Sequence, residues 1–371
     1  MYTLISSDSH VIEPADLWER HIESKYRSRA PRLVSEGEVD QWYVEGVPFG
    51  SIGTNQQAGL RFEAPEKLKT VGRMDSAPLG GIDPHEHVKD MDKDGVAGGV
   101  LFPSQGLHLY RTVPDSELLS AIFRAYNDWI AEFARPHPTR LKGLAMLNVD
   151  DPHDAVSELR RAHGLGLAGA LIPMRTMTLR YDDPAYDPLW EAAQELGMPL
   201  NMHTGTHRWA PGRPFESPLQ DVVEITTKEV EVRRALTAMV FGGVFERFPG
   251  VRVGALEFEI AWAPYFIERL DNTYKERAVG VKYARFKNGA LPSDHFRQSV
   301  FISFQEDQLG IQLRDLIGVD NLVWGSDYPH AESTFPHSRR IVDETLRGLT
   351  DDEKQKIAGG NAARLYGFEL Q

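Results

Sequence analysis

Two polar residues follow the last short apolar run of the chain, at a position where side chains often do chemistry. The run Leu322–Trp324 has the composition of a buried parallel strand, and Gly325-Ser326 ends it. Asp327 comes directly after this strand, and His330 follows three residues later. A carboxylate in that position either caps the next helix or binds a metal and moves a proton.

The same arrangement of an apolar run followed by a polar side chain recurs elsewhere in the chain. Asp8 and His10 follow the first run, and on an extended segment two such residues point the same way. His203 ends the fifth run and Glu257 ends the sixth. Histidine and carboxylate side chains without sulfur are the ligands that suit Zn²⁺, Mn²⁺ or Fe²⁺.

Eight apolar runs, separated by stretches with helical periodicity, predict a parallel sheet of eight strands. The predicted strands are Thr3–Ser6, Val96–Phe102, Leu141–Leu147, Leu167–Ile172, Pro199–Met202, Val251–Leu256, Val300–Phe304 and Leu322–Trp324. Eight strands close into a (β/α)8 barrel of the TIM type, in which all C-terminal strand ends meet at one mouth. The alternative, an open doubly wound sheet, usually carries a glycine-rich turn after its first strand, where this chain has Asp8-Ser9-His10. The predicted fold is therefore an α/β barrel with the polar residues at its mouth.

This convergence predicts one divalent metal ion, held by His10, His203 and Asp327, with Asp8 as a further candidate ligand. Such a ligand set leaves a position for water or substrate, whose oxygen the metal would acidify or polarise. The chain contains no cysteine, which excludes thiolate ligands. A binuclear site would normally need a bridging ligand such as a modified lysine, and no lysine follows the fourth strand. Zinc is the first choice, and manganese and iron are the alternatives.

Residues 24–90 do not fit the alternation of strands and helices. The region is rich in glycine, proline and charge, and Val39–Phe49 is typical of a hairpin that turns at Glu45-Gly46. Because long irregular segments in compact domains are usually functional, we interpret it as an insertion over the barrel mouth, within a single domain of residues 1–371. The stretch from Asp83 to His87 resembles a metal motif, but we interpret it as a solvated helix start.

Composition narrows the range of partners. The net charge of −13 argues against nucleic acid or an anionic membrane, whereas 41% hydrophobic residues suffice for a large core. The first residues lack the basic and apolar regions of a signal peptide, and no apolar run is long enough to span a membrane. We therefore expect a cytoplasmic protein with a small-molecule substrate. The sequence leaves open whether the chain forms a homodimer or a higher homo-oligomer.

Six motifs occur together in the chain. They are Asp8-Ser9-His10-x-x-Glu13-Pro14, Asp90-Met91-Asp92-x-x-Gly95-Val96, Phe245-Glu246-Arg247-Phe248-Pro249, Trp262-x-Pro264, Gly325-Ser326-Asp327-Tyr328-Pro329-His330 and Gly360-Asn361-Ala362-x-x-Leu365-Tyr366. Over nearly the whole chain this pattern resembles the amidohydrolase superfamily, in the amidohydrolase-related branch that includes the aminocarboxymuconate-semialdehyde decarboxylases. The resemblance implies a metal-dependent barrel and places the family's ligand positions on Asp8, His10, His203 and Asp327. Its members include non-oxidative decarboxylases of aromatic or unsaturated acids, and hydrolases.

The chain departs from the family's decarboxylases after the sixth strand. Those enzymes have a histidine there, in a glycine-rich turn, and this chain has Glu257 in Leu256-Glu257-Phe258. A buried Glu with a raised pKa can do acid–base work, so we expect catalysis to involve Asp327, Glu257 and His330. The alternative is that Glu257 forms an ion pair with Arg175 or another arginine and only holds the mouth together.

The predicted function is that of a metal-dependent carbon–carbon lyase, which removes CO₂ from an aromatic or unsaturated carboxylic acid. The close alternative is a metal-dependent hydrolase of a C–N, ester or lactone bond. A non-catalytic binding barrel is disfavoured because a dense polar mouth is costly to keep without chemistry. Loops after the fourth and fifth strands carry Arg175, His207, Arg208 and Arg213, which we expect to bind a substrate carboxylate; solvated surface charge is the alternative.

Overall fold

A computed structural model describes residues 2–53, 56–208, 222–223, 225–277 and 285–370. Over this part of the chain, eleven strands form two sheets. The strands are β1 (Leu4–Val11), β2 (Arg32–Glu36), β3 (Val39–Val44), β4 (Val47–Ser51), β5 (Val96–Pro103), β6 (Leu141–Met146), β7 (Gly169–Leu171), β8 (Leu200–His203), β9 (Val253–Leu256), β10 (Val300–Phe304) and β11 (Leu322–Trp324).

The larger sheet contains β1 and β5 to β11, in chain order and with parallel pairing throughout. Its first and last strands are joined by hydrogen bonds near their C-terminal ends. His10 N donates to Tyr328 O at 2.6 Å, and Asp327 N donates to Asp8 O at 2.9 Å. All eight predicted strands are present, and the predicted TIM-type barrel is confirmed. The C-terminal ends of β1, β8, β9 and β11 therefore lie around one barrel mouth.

Helices cover the outside of the barrel, and the apolar core lies between them and the sheet. The α-helices in the described part of the chain are Leu17–His21, Leu60–Glu63, Leu79–Ile82, Pro84–Asp94, Gly106–Thr112, Ser116–Ala134, Pro152–Gly164, Asp187–Leu196, Glu229–Phe241, Val244–Arg247, Ala263–Glu276, Pro292–Ser299, Gln308–Gln312, Arg314–Ile317, Ser338–Thr345, Asp351–Gln355 and Asn361–Tyr366. Ser116–Ala134 shows why they form. Asp115 caps its N-terminus, and its apolar stripe, which includes Leu118, Ile122 and Ile130, is fully buried. Among the described residues, no helix has the length and apolar character needed to cross a bilayer.

Strand β1 is longer than predicted, so Asp8 and His10 lie inside the strand and not after it. The reason is that its polar residues are buried and hydrogen-bonded across the barrel seam. Ser7 Oγ donates to Trp324 O at 2.9 Å, and Ser6 Oγ accepts from Ser326 N at 2.9 Å. An apolar run marks only part of this strand, because its remaining residues are polar side chains that are buried with hydrogen-bond partners.

The insertion contains a small antiparallel sheet in the order β2–β3–β4. The predicted hairpin is present: β3 and β4 turn at Glu45 and Gly46, which have φ of 50° and 79°. Strand β2 was not predicted, because its residues are mostly exposed and show little alternation. Trp42 anchors the sheet, since it is fully buried with its ring 5.1 Å from the ring of Trp18.

Two contacts place parts of this insertion beside the barrel mouth. Gln105, just past β5, donates from Nε2 to Ser51 O at 3.1 Å. Arg61 donates from Nε to Ser333 O, past β11, at 2.9 Å. These segments of the insertion therefore lie at the C-terminal end of the barrel, and closure over a bound substrate stays a prediction.

Candidate metal centre

Four buried side chains from three parts of the barrel converge at the mouth. Asp8 and His10 come from β1, His203 ends β8, and Asp327 follows β11. His10 Nε2 lies 3.3 Å from Asp8 Oδ1 and 3.3 Å from Asp327 Oδ1. His203 Nε2 lies 3.4 Å from the same Asp8 oxygen. Among the described residues, none of these four converging atoms has a hydrogen-bond partner of good geometry.

The tautomers of the two histidines fit a metal between them. His10 Nδ1 lies 2.9 Å from Pro103 O, and His203 Nδ1 lies 3.1 Å from Thr204 O. A carbonyl oxygen only accepts, so each ring carries its proton on Nδ1 and presents the Nε2 lone pair to the cluster. The donor atoms of Asp8, His10 and His203 all lie within 4.8 Å of one another. A His and Asp metal-binding cluster is therefore present, and its donor atoms suit a divalent cation.

The charges of the cluster also suit a cation. Burial alone would raise the pKa of Asp8, but His203 and His10 beside it lower the pKa to about 2. Burial likewise acts to raise the pKa of Asp327, and His330 and His10 bring it well below the usual range. Both carboxylates are therefore anionic at neutral pH, as metal ligation requires.

Glu257 directly follows β9 and reaches the same cluster. Its Oε2 lies 3.1 Å from His203 Nε2, and its backbone N donates to Ser303 Oγ at 2.9 Å. Burial raises the pKa of Glu257, and the neighbouring His203 opposes this shift. An imidazole of the metal-binding cluster is thus packed against this carboxylate.

His330 links Asp327 to the end of β5. Its Nδ1 lies 2.8 Å from Asp327 Oδ1, and its Nε2 lies 3.0 Å from Ser104 Oγ. The His330 ring also stacks on His10, with ring centroids 3.9 Å apart. This places His330 beside the cluster, where its Nδ1 contacts Asp327 Oδ1 and its ring stacks on His10.

Glu13 fixes the segment that carries Ser104. Its buried carboxylate accepts hydrogen bonds from the backbone N of Ser104, Gln105 and Gly106, at 3.1, 3.0 and 2.8 Å. The spacing Ser104–His330–Asp327 is that of a serine-hydrolase triad, but a triad needs free amides to form an oxyanion hole. Here the amides next to Ser104 are bonded to Glu13. Ser104 therefore orients His330, a role that the sequence pattern did not reveal.

Three non-glycine residues at the mouth have left-handed backbone conformations. Glu257, Glu259 and Asp327 have φ of 64°, 55° and 59°. Such conformations cost free energy for residues with a Cβ and cluster at functional sites. All three follow β9 or β11, where the backbone turns sharply to aim carboxylates at the cluster or next to it.

The residues predicted to bind a substrate carboxylate divide into two groups. Arg208 is buried, and four of its five N–H groups are engaged by Asp150 and by the carbonyls of Tyr110 and Val113. This arrangement corrects the interpretation of Arg208 as a carboxylate ligand, because its guanidinium holds the fold together. Arg175 is exposed and pairs with the segment of His207, which is buried. Arg213 lies outside the described residues.

The stretch from Asp83 to His87 is a helix start, as predicted, but it is not fully solvated. Asp83 accepts from the backbone N of His85 and Glu86, so it is the N-cap. His87 is buried against Tyr328, with Nδ1 2.8 Å from Gly80 O. His87 lies one helical turn after the N-cap Asp83, on the face of the helix that packs against the barrel.

A parallel eight-stranded barrel with a His and Asp cluster at the C-terminal strand ends defines a class of metal-binding barrels. Within that class, the chain belongs to the amidohydrolase family, whose model matches residues 76–368. The relatives place it in the branch of the decarboxylases that act on aminocarboxymuconate semialdehyde and resorcylate.

Two relatives illustrate the similarity in sequence. The chain is 25% identical over 293 residues to 2-amino-3-carboxymuconate-6-semialdehyde decarboxylase of Dictyostelium discoideum, covering 77% of each chain. It is 24% identical over 289 residues to gamma-resorcylate decarboxylase of Polaromonas, covering 75% of this chain and 86% of the relative.

Two solved structures share the fold. An amidohydrolase of Mycobacterium avium subsp. paratuberculosis superposes with a TM-score of 0.77 at 22% identity, covering 99% of both chains. The 5-carboxyvanillate decarboxylase of Novosphingobium aromaticivorans, complexed with manganese and 4-hydroxy-3-methoxy-5-nitrobenzoic acid, gives a TM-score of 0.70 at 17% identity. That match covers 99% of this chain and 96% of the other.

Proposed function

We propose that the chain is a metal-dependent decarboxylase acting on an aromatic or unsaturated carboxylic acid. One observation carries the proposal: four buried donor atoms of Asp8, His10, His203 and Asp327 converge without hydrogen-bond partners among the described residues. Leaving such atoms unpaired is costly unless a cation occupies the space between them. The names of the relatives, which are decarboxylases of aromatic or unsaturated acids, support the same activity.

These four residues would hold the metal, which when bound would polarise the substrate's carboxylate. Zinc remains the proposed metal, and manganese, which a structural relative holds, is the alternative. Arg175 and His207 are proposed to contact the substrate at the mouth. The substrate is a small molecule, consistent with a net charge of −13, and we propose no role for nucleic acid.

Decarboxylation also requires a proton at the carbon atom that loses CO₂. Glu257 is the proposed donor, because its carboxylate lies beside His203 at the mouth and burial raises its pKa. Asp327 and His330 complete the proposed acid–base set. The 2.8 Å contact between Asp327 Oδ1 and His330 Nδ1 is short enough for a proton to pass between them, while Ser104 keeps the His330 ring in place.

The second candidate is a hydrolase of a C–N, ester or lactone bond. The observation that favours it is Glu257 itself, because the decarboxylases that this sequence resembles have a histidine at that position. In this reaction Asp327 would take a proton from the attacking water. His330 would then steady the developing charge or the leaving group.

A substrate screen separates the two candidates. Zinc-loaded and manganese-loaded protein would be incubated with hydroxybenzoates and unsaturated dicarboxylic acids, and in parallel with amides, esters and lactones. Release of CO₂ together with stoichiometric decarboxylated product is the expected result. Hydrolysis without CO₂ release would overturn the decarboxylase proposal in favour of the hydrolase. The His203→Ala variant is the control for metal-independent background.

A further inference from the structure

A further histidine, His108, approaches the candidate site from the helix Gly106–Thr112, directly after β5. The first turn of this helix is closed by a hydrogen bond from His108 N to Gln105 O at 3.1 Å. His108 therefore lies one turn beyond Ser104, whose hydroxyl contacts His330. Burial, then the charges of Arg111, His330 and His207, lower the pKa of His108 well below its usual value.

Strand β4 of the insertion packs against this histidine. Gly50 of β4 lies so close that a Cβ there would meet Gln105 Oε1 at 2.4 Å and His108 Cδ2 at 3.4 Å. A Cβ at this position would require the Gln105 side chain to move, so the glycine lets the backbone of β4 pack directly against Gln105 and His108. The imidazole is half-buried and lies against Gly50 of the insertion, in the helix that directly follows the C-terminal end of β5.

Arg111 fixes the tautomer of His108. Its Nη2 lies 3.0 Å from His108 Nδ1. A guanidinium only donates, so Nδ1 must accept, and the proton of the neutral ring resides on Nε2. Among the described residues this Nε2 has no hydrogen-bond partner. The ring thus offers one oriented N–H donor, with a positive charge held behind it.

We infer that His108, oriented by Arg111, is a substrate-recognition residue that donates a hydrogen bond from Nε2 to an oxygen substituent on the substrate. The substrate class is then a carboxylic acid with a further phenolic or carboxylate oxygen, because the adjacent guanidinium favours negative charge on the acceptor. The inference rests on the proposed function, which supplies the carboxylic acid. Arg111 is the positioning residue, and it acts through the ring of His108.

The tautomer is tested without any ligand. In zinc-loaded protein labelled with ¹⁵N-histidine, His108 is assigned by comparison with the His108→Gln variant. The expected spectrum is that of a neutral ring protonated at Nε2, and Arg111→Met should shift it towards a mixture of tautomers. A ring protonated at Nδ1, or a charged ring at neutral pH, would overturn the inference.

Recognition is tested with a ligand series. Calorimetry on zinc-loaded protein would compare 2-hydroxybenzoate with derivatives that carry one more hydroxyl at each remaining ring position. At least one added hydroxyl should improve the affinity of the wild type about tenfold. His108→Leu should abolish this gain, whereas His108→Gln, whose amide can replace the Nε2 donor, should retain part of it.

The possible failures are distinguishable. If the added hydroxyls have the same effect in the wild type and in His108→Leu, the role of His108 is refuted and the proposed function is unaffected. If no 2-hydroxybenzoate binds the zinc-loaded wild type, the proposed substrate class fails, and the inference fails with it. Thermal unfolding of each variant shows whether the fold is retained.

Discussion

Glu257 places a carboxylate oxygen 3.1 Å from Nε2 of His203, the atom that this histidine presents to the metal-binding cluster. The pair joins the ends of the neighbouring strands β8 and β9. A carboxylate so close to a proposed ligand is near enough to act on whatever the cluster binds. The backbone that carries this carboxylate is held in place, since Ser303 accepts a hydrogen bond from the Glu257 backbone N.

The first prediction concerns this carboxylate. Glu257→Gln keeps the size of the side chain but cannot transfer a proton, so turnover should fall roughly 10²-fold or more while metal content is unchanged. Steady-state kinetics and elemental analysis on the same preparation measure both. Glu268→Gln, at an exposed position on the helix Ala263–Glu276, is the matched control. Near-normal turnover in a folded Glu257→Gln protein would assign proton transfer to Asp327 or His330.

Removal of a proposed ligand should remove the metal. We expect about one equivalent of divalent metal per wild-type chain, and far less in His10→Ala and His203→Ala, because each removes a donor atom from the cluster. Elemental analysis after metal loading and dialysis measures this. His137→Ala is the control, since His137 pairs with His85 on the surface, away from the cluster. Full metal content in both ligand variants would refute the proposed site.

Ser104 should affect turnover although it is not a proposed metal ligand. Ser104→Ala removes the partner of His330 Nε2, so we expect turnover to fall about tenfold or more through loss of ring orientation. The comparison is Ser157→Ala, where the hydroxyl, among the described residues, bonds only to the backbone of its own helix. An unchanged rate in Ser104→Ala would show that Asp327 and His10 suffice to hold His330.

The buried His87 should make stability depend on pH. Burial lowers its pKa from 6.5 to about 4, although Gly80 accepts a hydrogen bond from it. Between these values the unfolded chain binds a proton that the folded chain does not. The free energy of unfolding should therefore fall as the pH drops through this window, by about 3 kcal/mol in total.

Urea unfolding of the wild type and His87→Gln at a series of pH values measures this contribution. The difference between the two proteins should change from pH 7 to pH 4 and be constant above pH 7. A difference that does not vary with pH would mean that His87 binds a proton equally well in the folded and the unfolded chain, which would contradict the lowered pKa.

The contact between the insertion and the mouth gives a further prediction. Gly50→Ala places a methyl group against Gln105 and His108, so the Gln105 amide must shift out of its place beside the mouth. We expect KM for the substrate to rise several-fold with a smaller change in kcat, as for loss of substrate binding. Gly164→Ala, which meets no atom within 4 Å, is the control. Unchanged KM would place substrate binding away from β4.

Much of the barrel is predictable because its strands are short apolar runs that polar or turn residues end. Leu322–Trp324 and Val300–Phe304 are observed with the predicted bounds. Asp327 follows Leu322–Trp324 and His203 ends the fifth barrel strand, so a closed barrel predicts that both residues lie at the same mouth. This inference needs only the strand order and the geometry of a closed parallel sheet.

Other features depend on contacts that are remote in sequence. The polar strand β1 is buried only because Ser326 and Trp324, more than 300 residues away, pair with its serines. Arg208 looks like a loop cation in the sequence, yet Asp150 draws it into the interior. Ser104 and His108 carry no local pattern that distinguishes them from helix-start residues, so only the fold reveals their neighbours.

The left-handed residues have a consequence for engineering the protein. Glycine at positions 257, 259 or 327 would relieve backbone strain of about 1 kcal/mol each, and it would delete a carboxylate at the mouth in doing so. Among the described residues, Asn288 shares the conformation, with φ of 55°, but belongs to an exposed turn. Asn288→Gly should therefore raise the melting temperature slightly without loss of activity. Glycine substitutions at the mouth would also raise the melting temperature, but they would inactivate the protein.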